Sequence, residues 1–133
     1  MLNIEPYLDI PYVWNGRGFE GCDCYGLVIL YFKVELGIEI IDYDHGRLDD
    51  REFTNSDYLI EHAHEQWIQM PFEQAQPNDC VLICNSSTYP NHCGIILPEG
   101  RFLHTLHNAG CATSKLSTWA KRVHGIYRHK ELT

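Results

Sequence analysis

Apolar positions between residues 24 and 36 recur with helical spacing at Leu27, Val28, Leu30, Tyr31, Val34 and Leu36, which predicts a helix. It should begin at Cys24 or within a residue or two of it, with Asp23 as N-cap and Gly37 as a C-terminal stop. Its β-branched content suits a buried helix. Ahead of it, Pro6, Pro11, Gly16, Gly18 and Gly21 break any long element. Residues 38–43 form a short apolar piece that runs into an acidic loop. Over 51–69, Phe53, Tyr58, Leu59, Ile60, Ala63, Trp67 and Ile68 mix with polar residues and predict one or two helices, stopped by Pro71. After a connector at 72–77 the pattern changes to short strands, predicted at 79–84, 93–97, 102–106 and 123–127. Ser86, Ser87, Tyr89 and Pro90 fill a loop, and 117–122 offers a turn of helix carrying Trp119. Helices first and strands afterwards predict an α+β fold with an antiparallel sheet.

Length and charge narrow the picture. The chain has 133 residues, the size of one domain spanning 1–133, and should bury roughly two thirds of its unfolded surface. Lys and Arg number 10 against 18 Asp and Glu, a formal charge of -8, which argues against nucleic acid as the main partner. The opening Met1-Leu2-Asn3-Ile4-Glu5 lacks the basic start and apolar run of a signal peptide. The longest apolar stretch, 27–32, is far too short to insert across a membrane. The expectation is synthesis in the cytoplasm, with exit by lysis or inside a particle.

Six cysteines stand at 22, 24, 80, 84, 93 and 111. With no secretory signal, reduced and mostly buried thiols are expected. Cys24 differs from the rest, because it occupies the predicted helix tip straight after the Gly-rich stretch 16–21. Unpaired N–H groups there favour a thiolate. A nucleophilic thiolate needs a base. His92 opens a strand after a Pro-Asn loop, and Gly94 leaves the next position on its face uncrowded. His104 lies on the following strand. A two-residue turn at Glu99-Gly100 would place it opposite Ile95, facing away from His92. A three-residue loop, Pro98-Glu99-Gly100, would place it opposite Gly94, on the face of His92 and one diagonal step from it. Gly100 at the last loop position favours the second arrangement. His107 and His124 are weaker rivals for the third role. His45, His62, His64 and His129 read as ordinary surface or core histidines.

Metal binding is the competing chemistry. Cys22 and Cys24 form C-x-C and Cys80 and Cys84 form C-x3-C, but zinc needs four convergent ligands. On an extended strand the second pair would lie ~13 Å apart, and His92 and Cys93 would point to opposite faces. Phosphate-loop and dinucleotide readings lack their glycine pattern.

Taken in order, these segments resemble the NlpC/P60 family of cysteine peptidases. Ile10-Pro11-Tyr12-Val13-Trp14 is similar to the segment before that family's nucleophile, and Asp23-Cys24-Tyr25-Gly26-Leu27-Val28 to its Asp-Cys-Ser-Gly-Leu-Val motif. Pro77-Asn78-Asp79-Cys80-Val81-Leu82 resembles its Pro-Gly-Asp-Leu strand, Asn91-His92-Cys93-Gly94-Ile95 its His-Val-Gly-Ile motif, and Gly100-Arg101-Phe102-Leu103-His104 the segment ending in its third polar residue. The resemblance covers residues 8–107. It departs at Tyr25, where the family has a small serine, and at Asn78, where it has glycine.

The resemblance implies a papain-like fold in which the cysteine helix packs on a sheet carrying both histidines. It implies Cys24 as nucleophile, His92 as base and His104 as the residue that orients it. Tyr12 would line the site and share oxyanion stabilisation with the Cys24 N–H, while Asp23 and Tyr25 would flank the substrate. The implied reaction is hydrolysis of amide bonds in peptidoglycan peptides, without metal or other cofactor. The chain looks most like the phage and prophage branch linked to tail assembly, with other tail proteins as further partners. Two alternatives stay open: another thiol-dependent acyl transfer or amidase reaction, and a structural tail-assembly protein with an unused cleft.

Overall fold

The computed structural model describes residues 3–42, 65–86, 88 and 90–133. Helix α1 spans Cys24–Tyr31 and is continued by a π-helical turn, Phe32–Leu36, which ends at Gly37 in the left-handed region at φ 66°. Asp23 caps it, its side chain accepting the Gly26 N–H. Seven of its eight residues are buried, as suits a helix that is apolar on every side. Gly26 is needed at its first turn, since a Cβ there would run into the Gly16 carbonyl.

Two short strands, β1 (Arg17–Gly18) and β2 (Gly21–Cys22), pair antiparallel just before the helix. The main sheet holds β3 (Trp67–Met70), β4 (Cys80–Ile83), β5 (His92–Leu97), β6 (Arg101–Leu106), β7 (Gly110–Lys115) and β8 (Val123–His129). Their order is β3-β8-β4-β5-β6-β7, every neighbouring pair antiparallel. A four-residue helix, α2 (Leu116–Trp119), follows β7. The α+β class, the helix that starts at Cys24 and four of the strands match the sequence prediction.

The sheet is apolar on both faces. On one face α1 packs Leu27, Val28 and Tyr31 against Cys93, Ile95, Leu97 and Leu103. On the other, Val81, Ile83, Ile96, Phe102 and Ile126 form a second cluster, closed by Leu116 and Trp119. Residues of β5 therefore alternate between the two clusters, as a pleated strand requires.

Two elements correct the sequence prediction. Residues 51–64, most of the predicted helical stretch, lie outside the described residues. At its end Trp67–Met70 is a strand, not helix, pairing with β8 from Trp67↔His129 to Met70↔Ile126. Only Trp67 of this edge strand is buried, so tertiary pairing overrides a weak local pattern. Strand β7, Gly-Cys-Ala-Thr-Ser-Lys, is an element that the sequence pattern does not predict. It has almost no apolar alternation, and six successive pairings with β6 hold it in place.

The β5–β6 connection is the three-residue loop Pro98–Gly100, with register Leu97↔Arg101, Ile96↔Phe102 and Ile95↔Leu103. Continuing that register sets His104 opposite Gly94. Glu99 and Gly100 are both left-handed, at φ 66° and 72°.

Candidate active site

The site is built where the tip of α1 meets the sheet. Asp23 is 2% exposed. Its Oδ1 accepts from the Gly26 N–H at 2.7 Å and from Arg17 Nη1 at 2.9 Å, and its Oδ2 from the Asn15 N–H at 2.9 Å. The carboxylate thus binds the preceding loop to the helix tip. Arg17 extends the tie to Asp42, with Nε 3.0 Å from its Oδ1. Tyr25, expected beside the substrate, is turned into the core with its hydroxyl donating to the Ile41 carbonyl. That bond ties the first turn of α1 to Ile41.

Cys24 is the first residue of α1 and is 6% exposed. Its thiol is pushed down to about 5: hydrogen bonding from Cys93 is the largest cause, burial opposes it, and a hydrogen bond and the charge of His92 add to it. Cys93, held by hydrogen bonds to Cys24 and Cys80 and by burial, is pushed well above its ordinary value, so it stays a protonated donor. The helix tip favours the same thiolate.

His92, 5% exposed, places Nε2 2.8 Å from Nδ1 of His104. That leaves Nδ1 of His92 for Cys24. His104 is fully buried, and its Nε2 lies 2.8 Å from Oγ of Ser114 on β7. Burial first, and then the His92 charge, push His104 down to about 3, so it is neutral at physiological pH. Gly94 makes the approach of the two rings possible, since a Cβ there would sit 2.7 Å from the Leu103 carbonyl and 3.1 Å from the His104 Cβ. Trp119 roofs the pair. It stacks on His92 at 6.1 Å and 28°, meets His104 edge-on at 5.2 Å, and carries Arg122 at 4.0 Å over its ring.

Tyr12 is half-buried and bridges to Cys22 in the segment leading into α1, its ring 4.8 Å from that of His107. The structure thus brings Cys24, His92 and His104 into one chain of contacts, while His107 and His124 remain exposed outside it. His45, His62 and His64 lie outside the described residues. Sequence reasoning missed Ser114, Cys93 and the roofing role of Trp119. Ser114 had no signal, because its strand was not recognised.

This arrangement can do thiol chemistry: a helix-tip sulfur, an imidazole beside it, and a second imidazole behind the first. The chain is 29% identical over 131 residues to the tail tip assembly protein K of Escherichia phage lambda, covering 96% of this chain and 64% of that protein. It is 31% identical over 136 residues to the gamma-DL-glutamyl hydrolase of Bacillus subtilis, covering 97% of this chain and 28% of that one. The chain therefore spans less than two thirds of either relative. Among solved structures, the NlpC/p60 domain of the peptidoglycan hydrolase SagA superposes with a TM-score of 0.63 at 19% identity, over 92% of this chain and 89% of that domain, which establishes the shared fold. Residues 9–128 match the pattern of the NlpC/P60 family, and the chain belongs to that family.

Proposed function

We propose that the protein is a cysteine peptidase that hydrolyses amide bonds in peptidoglycan stem peptides through Cys24, His92 and His104. The observation that carries this reading is the contact chain from the ionisable Cys24 thiol through His92 to His104, with its 2.8 Å ring-to-ring link. Family membership and the hydrolase named among the relatives support the substrate class.

In this reading the Cys24 proton passes to Nδ1 of His92, and the thiolate attacks the amide carbon. The Cys24 N–H and the Tyr12 hydroxyl stabilise the oxyanion. His92 returns its proton to the leaving amine nitrogen as the C–N bond breaks, giving a thioester. It then takes a proton from water, whose oxygen displaces the sulfur. His104 holds the orientation and tautomer of His92 throughout. Asp23 and Tyr25 act from behind, shaping the loop and helix tip with side chains that face inward. The relatives from phage tails support a place in a tail tip with other tail proteins as partners. The same names favour a second reading, a tail-assembly protein whose cleft is not used.

Incubation with purified muropeptides, read by mass, tests the proposal. Amide cleavage by the wild type and none by Cys24→Ala is expected. No cleavage across a panel varied at the γ-glutamyl and diamino-acid positions would favour the assembly reading.

A further inference from the structure

We propose that Ser114 is a positioning residue for the reaction, the hydroxyl acceptor that allows His92 to hold the Cys24 proton. The inference rests on the catalytic reading above and extends it by one residue.

The argument follows the protons. When the Cys24 proton moves to His92 Nδ1, His92 becomes imidazolium and both its nitrogens carry hydrogen. Its Nε2–H then donates to His104 Nδ1, 2.8 Å away. His104 must accept there, so its own hydrogen sits on Nε2. That N–H is buried and needs an acceptor. Ser114 Oγ lies 2.8 Å from it. The neutral tautomer of His92 that can take the Cys24 proton carries its hydrogen on Nε2 and makes the same demand. With His92 protonated only on Nδ1, the chain can run the other way, with His104 donating to His92 and Ser114 donating to His104, but Nδ1 then has no lone pair for the Cys24 proton. Ser114 is therefore required as acceptor in each state in which His92 accepts or holds that proton.

The register explains why this residue can reach. His104 pairs with Ala112 and Phe102 with Ser114, so His104 and Ser114 are diagonal neighbours on one face. The small Ala112 side chain directly opposite His104 leaves the ring free to lean along β7. Phe102, 4.3 Å from His104, and the Trp119 roof enclose the same ring.

The test compares wild type, Ser114→Ala, Ser114→Thr and Ser114→Val, the last two being alike in shape and different in the hydroxyl. The rate of Cys24 alkylation by iodoacetamide is followed by peptide mass mapping, and the His104 ring nitrogens by 1H–15N NMR. Ala and Val should slow alkylation roughly 10-fold, as expected for a buried donor left without its partner, and should shift the His104 hydrogen away from Nε2. Thr should stay within about threefold of wild type and keep the wild-type ring signals. Equal rates for Thr and Val would overturn the proposal, even if the alanine variant fails to fold. So would a His104 hydrogen on Nδ1 in the wild type under conditions where Cys24 is ionised. Dependence of alkylation on the hydroxyl without any muropeptide cleavage would retain the Ser114 role and reject the peptidase. Cleavage that is indifferent to the Thr/Val exchange would do the reverse.

Discussion

His104 Nδ1 stands 2.8 Å from His92 Nε2 in a place that holds His104 uncharged. An aspartate in the same position would bring a second charge into a pocket that lacks exposed surface, and burying it carries a desolvation cost. In the proposed mechanism a neutral imidazole orients the base without that cost, while remaining able to accept from an imidazolium.

His104→Ala should therefore lower muropeptide hydrolysis by roughly 100-fold or more, in the range typical for removing a group that supports a general base. His104→Asn, which keeps an acceptor on a shorter side chain, should retain more activity than alanine. Steady-state rates on one cleaved muropeptide check both, and equal rates for wild type and alanine would refute the orienting role.

Gly94→Ala should destabilise the fold by about 1–3 kcal/mol, the usual range for overpacking. A new methyl would press on the Leu103 carbonyl, the Phe102 ring and the His104 Cβ together. The midpoint of urea unfolding measures the loss. Gly100→Ala, at a left-handed position with open space around it, meets backbone strain alone and should cost less, about 1 kcal/mol.

Trp119→Ala should open the His pair to water. Burial is the first cause of the low His104 value, so that value should move up from about 3 toward the ordinary imidazole range. Arg122→Ala, which removes the cation over the outer face of Trp119, should leave His104 buried and its titration low. NMR titration of the His104 ring carbons reads the difference, and an unmoved His104 in Trp119→Ala would show that the roof does not keep the pair dry.

Much of this site could be read from the chain because local rules agree with the fold. Asp23 before an apolar periodic run is a helix start, and it caps α1. Pro98-Glu99-Gly100 sets the strand register that brings His104 to the face of His92. What could not be read depends on distant partners. The Trp67–Met70 strand exists through β8, and Gly110–Lys115 through β6. Ser114 became visible only with the second of these. The fate of Tyr25 likewise rests on a carbonyl sixteen residues away, at Ile41.

The last prediction concerns pH and stability. His104 and His129 are both buried, and burial pushes both below the ordinary imidazole value of 6.5. His129 lies against Phe32 and Trp67, and its Nδ1 accepts the Glu131 N–H. Between the folded and unfolded values the unfolded chain binds more protons, so stability rises with pH in that window. It is complete above 6.5 and is lost as pH falls toward about 3 for His104. The His104 shift alone should lower unfolding free energy by about 2 kcal/mol between pH 7.5 and pH 5. The depressed Cys24 thiol acts in the same direction, from its ordinary value down to about 5, so the measurement belongs in Cys24→Ala. In that background, His129→Phe should reduce the loss between the two pH values, since phenylalanine keeps the ring packing and removes the titrating group. Urea unfolding at pH 7.5 and pH 5 provides the comparison. Equal pH dependence with and without His129 would mean that its ring is as easily protonated in the fold as in the unfolded chain.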